Sequence, residues 1–341
     1  MNRVEMSIDG GPQRALSDLI ESFWTTQLIG TAVALGIPDQ LAHGAKSVEQ
    51  IARSCESDPS CTLRLLRALQ TVGVCRSDSR ANFELTERGQ LLRRAVPGSM
   101  TGRATFTSGI MWNLYSHLTT VVKTGRSLPA GRAGFDELAT HPGLAGMHQA
   151  MVESSIKVIA DAAQVYDFAR YSRVLDVGGG YGGALTALLQ RYGGMSGSVL
   201  DLHYLGDDAT AYLRKNGVAD RANFVAGDFF ELVPTGYDCY LLKYIIHDWN
   251  DSDAVQILRS CAAAARPNAH IILLERVLPD VLEESRAHQA IMQIDLAMMT
   301  TGGKERTIGE YRQLLASAGL EMTAVTATAS PCSLIQAVPA A

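Results

Sequence analysis

The sequence predicts an α/β chain in two parts: an α-helical winged-helix domain over residues 1–98, then a seven-stranded, mainly parallel sheet covered by helices over 99–341. Three observations predict it. Short runs rich in Val, Ile and Leu recur through the second half with helical stretches between them, as in parallel strands buried on both faces. The first half reads as helices apart from one short hairpin. A glycine loop, GGGYGG at 178–183, follows the first of the buried strands and opens a helix.

Each element has a local reason. Leu16, Leu19, Ile20, Phe23, Leu28 and Ile29 give residues 14–35 a helical period that stops at Gly36 and Pro38. Ser47 and Gln50 form a capping box, in which hydroxyl and amide each satisfy an orphan backbone donor. Asp58-Pro59 starts another helix, with Leu65, Leu66, Leu69 and Val72 on one face and Gly73 at its end. Val74-Cys75 and Phe83-Glu84-Leu85, separated by a polar turn, make a hairpin and complete the winged-helix pattern. Pro97-Gly98 marks the boundary, and helices over 99–168 bridge to the core at 169–341. There, strands are predicted at 173–177, 198–202, 222–226, 240–244, 271–274, 322–327 and 333–338. Helices at 184–189, 207–216, 252–265 and 309–318 lie between them, and the last two strands form an antiparallel hairpin.

Composition removes several classes. With 47% hydrophobic and 19% charged residues in 341, the chain has ample core and is not a disordered or coiled-coil protein. A net charge of −5 speaks against a broad nucleic-acid footprint. No apolar run approaches the roughly 20 residues that span a bilayer, and the polar, acidic start lacks a signal-peptide layout. The six cysteines include no C-x-x-C pair, so reduced thiols in a cytoplasmic protein are expected.

Gly178, Gly180 and Gly183 satisfy G-x-G-x-x-G, and Asp201 ends the next strand, where a carboxylate can accept from ribose hydroxyls. That alone leaves a dinucleotide and S-adenosylmethionine (SAM) both open. Three details favour SAM. Asp176, two residues before the first glycine, suits a cation better than a pyrophosphate. Asp228, ending the third strand and followed by Phe229-Phe230, offers a carboxylate for an adenine amino group and a ring for its face. The unit also sits in the C-terminal half and closes with a hairpin.

Leu241 to Trp249, LLKYIIHDW, runs off the fourth strand, and ligands of open α/β sheets bind beyond such strand ends. A histidine taken at random is more often a buried, hydrogen-bonded one, but this placement makes His247 the candidate base. Of the other seven histidines only His148, on a helix, is placed to face the pocket. Lys243 is either a surface lysine or, at the strand tip, a cofactor contact. Asn250 or Asp251 caps the next helix and Asp253 meets its positive end, a better account than a metal site. Glu275, ending IILLE, and Glu305, in TTGGKERT, reach the same rim; otherwise they are a solvated strand end and a loop ion pair with Arg306.

LDVGGGYGG (175–183), VLDL (199–202), AGDFFE (226–231), LLKYIIHDWND (241–251), LLERVLPD (273–280) and GGKERT (302–307) together resemble the SAM-dependent O-methyltransferases of the caffeate and bacterial natural-product type. The resemblance covers nearly the whole chain. It implies a Rossmann-like seven-stranded core, an N-terminal winged-helix dimerisation domain, a homodimer and no metal. It also implies that Gly178 contacts SAM through its backbone, that Asp201 holds the ribose, with Leu202 and Gly180 beside it, and that Asp228 and Phe229 hold adenine. Lys243 would touch a further part of the cofactor. His247 matches the family's base, Glu275 and Glu305 bracket it, and Asp248 belongs to the same motif. Two departures stand out: His203 replaces the usual Pro after Asp-Leu, and the spacing from Asp295 to Glu305 is short.

The expected reaction is methylation of a hydroxyl on an aromatic small molecule in bacterial secondary metabolism. A phenol has a pKa near 10, so an imidazole must take its proton as the C–O bond forms. Trp112, Met151 and Met298-Met299 are candidate substrate walls, or simply core. One rival is a SAM-sensing, DNA-binding regulator, although residues 47–94 carry eight Arg against six acids, a weak basic face. The other is an NAD(P)-dependent oxidoreductase, for which only the glycine loop speaks.

Overall fold

In the computed structural model, which describes residues 11–94, 96–128 and 144–340, packing divides the chain into two units, Met1–Ile110 and Met111–Ala341. The sequence places the boundary earlier, at Gly98. Parts of the predicted 1–98 domain (1–10) and of the bridging region (129–143) lie outside the described residues.

In the first unit, α1 (Pro12–Glu21) and α2 (Phe23–Ala34) divide the predicted 14–35 helix at Ser22. Next come α3 (Ile37–Gln40), α4 (Val48–Ser54) and α5 (Pro59–Thr71). The Ser47–Gln50 capping box is formed, and Asp58 accepts from the Cys61 N–H at 2.8 Å. The hairpin pairs β1 (Cys75–Ser77) with β2 (Phe83–Leu85). Leu28, Ala32, Ile37, Ile51, Leu66, Leu69 and Phe83 form the core. Then follow α6 (Glu87–Gln90), α7 (Thr101–Phe106) and a π-helical segment, Thr107–Met111. Along α1 and its junction with α2, Leu16, Leu19, Ile20 and Phe23 remain exposed.

The second unit opens with α8 (Trp112–Ser116), α9 (Leu118–Thr124) and α10 (Leu144–Val165). Its sheet strands are β3 (Arg173–Val177), β4 (Ser196–Asp201), β5 (Ala222–Ala226), β6 (Cys239–Lys243) and β7 (His270–Glu275). They are joined by α11 (Gly183–Arg191), α12 (Gly206–Lys215) and α13 (Asp251–Ala264). A two-residue parallel pair, β8 (Val277–Leu278) with β9 (Arg306–Thr307), encloses α14 (Arg286–Thr301). After α15 (Ile308–Ser317), β10 (Leu320–Ala327) and β11 (Ser333–Pro339) close the sheet. The strand order is β10-β11-β7-β6-β3-β4-β5; β3 to β7 pair in parallel, and β11 is antiparallel to β7 and β10. All seven predicted strands are present, while α14 and the β8–β9 pair were not anticipated. Alternate residues feed two cores. Leu175, Val177, Leu242 and Leu273 pack toward α13 and α15; Val174, Leu241 and Ile272 pack toward α10 and α11.

The chain winds one way from β3 to β4 and β5, then returns to place β6 on the other side of β3. A crevice therefore opens beyond the tips of β3 and β6, the place where such sheets bind ligands.

Candidate active site

On the β3 side of the crevice, the glycine loop is shaped by two carboxylates. Gly178 has φ +68° and Gly180 φ +58°, conformations that residues with a Cβ rarely adopt. A Cβ on Gly178 would lie 2.6 Å from Ile245 Cδ1, and one on Gly179 would strike the Asp176 carboxylate at 2.6 Å. Asp201, predicted to accept from ribose hydroxyls, already accepts the Gly180 and Leu202 N–H groups, each at 2.7 Å. A carboxylate has about four lone-pair sites, so half of them remain for a diol. Burial pushes Asp201 up to about 6 against those two bonds. Asp176 is 2% exposed and accepts the Leu185 N–H at 3.3 Å. Burial raises it to about 7, opposed by the charge of Lys243, whose own pKa burial lowers to about 8. The sequence reading gave Asp176 to a ligand cation; in the fold it lies under Gly179 and ties the loop to α11. Beyond β5, Asp228 accepts the Phe230 N–H at 2.8 Å, and Phe229 meets Trp249 edge-on at 5.9 Å.

On the β6 side stands His247, 6% exposed, in a short 3₁₀ turn (Ile246–Asp248). Its Nδ1 lies 2.9 Å from Glu305 Oε1, so the N–H there donates to the carboxylate and Nε2 is left as the basic atom. Asp248 Oδ1 stands 3.5 Å from Nε2. Burial disfavours the imidazolium, but the charges of Glu305, Asp248 and Glu275 together carry the pKa up to about 9. Glu275 does not touch the ring: its Oε1 accepts the Ile245 and Ile246 N–H groups at 2.9 and 2.8 Å and so holds the turn. Burial raises Glu275 to about 7, and burial likewise raises Asp248. Donor atoms of His247, Glu275 and Glu305 come within 4.8 Å of one another, close enough to share a metal. Arg276 Nη1 stands 3.6 Å from the same Glu305 Oε1 and brings a positive charge to that carboxylate.

Two residues of this corner, Tyr244 and Arg276, escaped the sequence reading, and a third, Arg306, has another role than the loop ion pair expected of it. Tyr244 sits at φ +55°, a strained setting for an aromatic residue, costing of order 1–3 kcal/mol. Its ring stacks on His247 at 5.5 Å, with Arg276 4.1 Å from the ring centroid. Arg306 is fully buried. Instead of pairing with Glu305, it binds the Ile246 and Trp249 carbonyls at 2.9 and 2.7 Å and Asp251 at 2.8 Å. The Glu305 N–H donates to Asp295 at 2.9 Å. A charged residue beside a candidate acid, as in GGKERT, was the only available signal. Asn250 is the N-cap of α13, accepting from the Asp253 N–H at 3.0 Å. Of the proposed wall residues, Met299 borders a cleft with Val121, Gly125, Asp248 and Trp249. Trp112, Met151 and Met298 sit on three different helices, α8, α10 and α14, and are not part of that lining.

Comparisons with known proteins agree on one relationship. A family model for an O-methyltransferase domain matches residues 115–321, and one for an O-methyltransferase dimerisation domain matches 17–94. The chain is 33% identical over 347 residues to an O-demethylpuromycin-O-methyltransferase of Streptomyces alboniger, covering 98% of this chain and 92% of that one. It is 31% identical to a phenazine O-methyltransferase of Lysobacter antibioticus, over 95% of each. A solved O-methyltransferase from neocarzinostatin biosynthesis, in complex with SAM and 2-hydroxy-5-methyl naphthoic acid, matches at TM-score 0.75 and 31% identity, over 92% of this chain and 96% of that one.

Proposed function

The chain belongs to the O-methyltransferase family and is a SAM-dependent O-methyltransferase; from that premise we propose that it methylates a hydroxyl of an aromatic small molecule in bacterial secondary metabolism, with His247 managing the proton. One observation carries this: a buried imidazole just beyond the β6 tip, held through Nδ1 by Glu305, with Nε2 left 3.5 Å from Asp248 Oδ1. Relatives that act on aromatic compounds support the acceptor class.

The residues on the β3 side suit an adenosyl cofactor. Asp228 and Phe229 would hold adenine, Asp201 the ribose, and the open space over Gly180 admits close approach to the loop. When bound, SAM supplies an electrophilic methyl on a sulfonium. This chain's own part is to present an oxygen behind that methyl and to manage its proton. Burial of the ring is outweighed by the charges of Glu305, Asp248 and Glu275, which raise the imidazole toward the phenol's range, so the neutral ring is a stronger base than a free histidine and proton acceptance by Nε2 is closer to balance. Glu305 stabilises the imidazolium that results, and Glu275 keeps the turn from rotating away. The remaining acceleration comes from alignment of the reactants.

The dimerisation domain and the exposed apolar face of Leu16, Leu19, Ile20 and Phe23 support a homodimer joined along α1. No helix among the described residues is long and apolar enough to cross a membrane. Six free cysteines support a cytoplasmic setting.

The deciding experiment is thermal melting with SAM, S-adenosylhomocysteine, NAD and NADP, then transfer of labelled methyl to a panel of phenols and naphthols. A ligand at a hundred times its Kd adds about 2.7 kcal/mol. A rise with the two sulfur ligands and labelling of an aromatic hydroxyl are expected. A rise with NAD or NADP alone would overturn the reading, as would salt-sensitive binding of duplex DNA without methyl transfer.

A further inference from the structure

Four side chains beyond the sheet form a closed circuit that includes the base. Tyr244, the residue after β6, stacks its ring on the His247 imidazole, with centroids 5.5 Å and planes 26° apart. Arg276, the residue after β7, sets its guanidinium carbon 4.1 Å from the centroid of that tyrosine ring. Arg276 Nη1 stands 3.6 Å from Glu305 Oε1, and the same oxygen lies 2.9 Å from His247 Nδ1. The sheet brings the two strand ends together: β6 and β7 pair in parallel, with Lys243 opposite Leu274. One step further on, the Tyr244 N–H donates to the Leu274 carbonyl at 3.0 Å. All four side chains belong to the second unit.

Packing alone does not account for this arrangement. Tyr244 holds φ +55°, and strain of that kind persists where the surroundings over-determine it, most often at functional sites. Glu305 adds a second sign. Its Oε2 is buried with no hydrogen-bond partner among the described residues, and Oε1 makes the contacts with both the imidazole and the guanidinium. A hydrogen bond at Nδ1 fixes the direction of one ring atom, but the imidazole plane can still turn about it. The lone pair of Nε2 lies in that plane, so a turned ring aims it away from the proton it must take. A second ring stacked on the imidazole removes this freedom.

We propose that Tyr244 and Arg276 are positioning residues of the methyl-transfer base. The guanidinium holds the tyrosine ring on His247 and steadies Glu305 at the same time, so the plane of the imidazole is set before the acceptor arrives. This rests on the reading of His247 as the proton acceptor. Arginine suits the task because its planar guanidinium stacks on an aromatic ring while its N–H groups point at a carboxylate, whereas a lysine ammonium is a point charge without a face. Lys243 shows the contrast. Its Nζ also lies 4.8 Å from the Tyr244 centroid, yet among the described residues it makes no ion pair with Glu305.

The test asks whether the two residues matter only while there is an imidazole to hold. Transfer of labelled methyl gives kcat, and calorimetry gives the affinity for S-adenosylhomocysteine, for variants of the full chain with His247 present and with His247→Ala. With His247 present, Arg276→Met and Tyr244→Leu should each lower kcat by about 10- to 100-fold, as a reacting group roughly 1 Å out of place does, and change the affinity by less than about 2-fold. Tyr244→Phe, which keeps the ring, should stay within about 3-fold of the unmodified enzyme. Arg276→Lys, which keeps the charge but not the face, should recover little of the loss. In the His247→Ala background the same substitutions should move the residual kcat by less than about 2-fold. If Arg276→Met fails to fold, Arg276→Gln carries the same comparison. Equal fractional losses with and without His247 reveal a structural role and overturn the assignment, as does an unchanged kcat in Arg276→Met and Tyr244→Leu; either result leaves the base reading intact. Full turnover by His247→Ala alone defeats the base reading and this one with it.

Discussion

At the tip of β6 three carboxylates gather round His247 and carry its pKa up to about 9, whereas at the glycine loop burial takes His148 down to about 4. Both rings are more than nine-tenths buried, and desolvation pushes both the same way. What separates them is the number of acids within reach: Glu305, Asp248 and Glu275 in one case, Asp208 alone in the other. Two buried histidines of the same unit thus acquire opposite characters, one raised by neighbouring carboxylates and one lowered by burial. Charge, not burial, decides which ring can do acid–base work here.

The sharpest way to break this comparison is His247→Ala, expected to lower kcat by about 10²–10⁴ with SAM affinity unchanged; retained turnover would leave the enzyme working by alignment alone. Next is Glu305→Gln, which removes the largest charge holding the imidazolium. The acid limb of the kcat profile should move to lower pH while kcat falls at its plateau, and a stationary limb would deny Glu305 its role. Third, Arg306→Met should cost about 2–4 kcal/mol in urea unfolding, since it strands the Ile246 and Trp249 carbonyls. It should also blunt kcat through the turn, while binding at the glycine loop is spared.

A smaller effect is expected in the pH dependence of stability. His247 has a folded pKa above its unfolded 6.5, so its contribution is complete below that value and is lost as pH rises through about 9. Asp176 and Glu275, also raised, act with the same sign, losing their contribution as pH rises from about 4 through about 7. The melting temperature should therefore decline from pH 6 to 9.5, and Glu305→Gln should lose less between 7 and 9.5. Smallest is Gly180→Ala. With open space at that Cβ, only the positive φ is felt, about 1–2 kcal/mol, whereas Gly178→Ala adds a collision with Ile245 and should cost more by thermal melting.

The same contrast governs what could be read from the sequence. The strands that carry Asp176, Asp201 and Asp228 at or near their ends were legible because burial and turn signals are local, as were the Ser47 and Asp58 caps. The division of labour between Glu275 and Glu305 was not. It depends on β8 and β9, two residues each, meeting across α14 to bring Glu305 beside Arg276. Helix α14 was missed because Met and Ala dilute its amphipathic period, although Ser285 caps it by accepting from the His288 N–H at 3.2 Å. Tyr244 gave no signal at all: an aromatic at positive φ is sustained by its stacking partners, which a linear reading does not show.

Gly303 has only a bare α-carbon against the back of the base-bearing turn: a Cβ there would stand 2.1 Å from the His247 carbonyl oxygen, and the neighbouring Lys304 N–H donates to that same oxygen at 2.9 Å. The end of α14 and the imidazole consequently move as one piece. An acceptor that pressed on that helix end at Met299, which borders the cleft, would carry the base out of line, so size would be selected through reactivity rather than affinity.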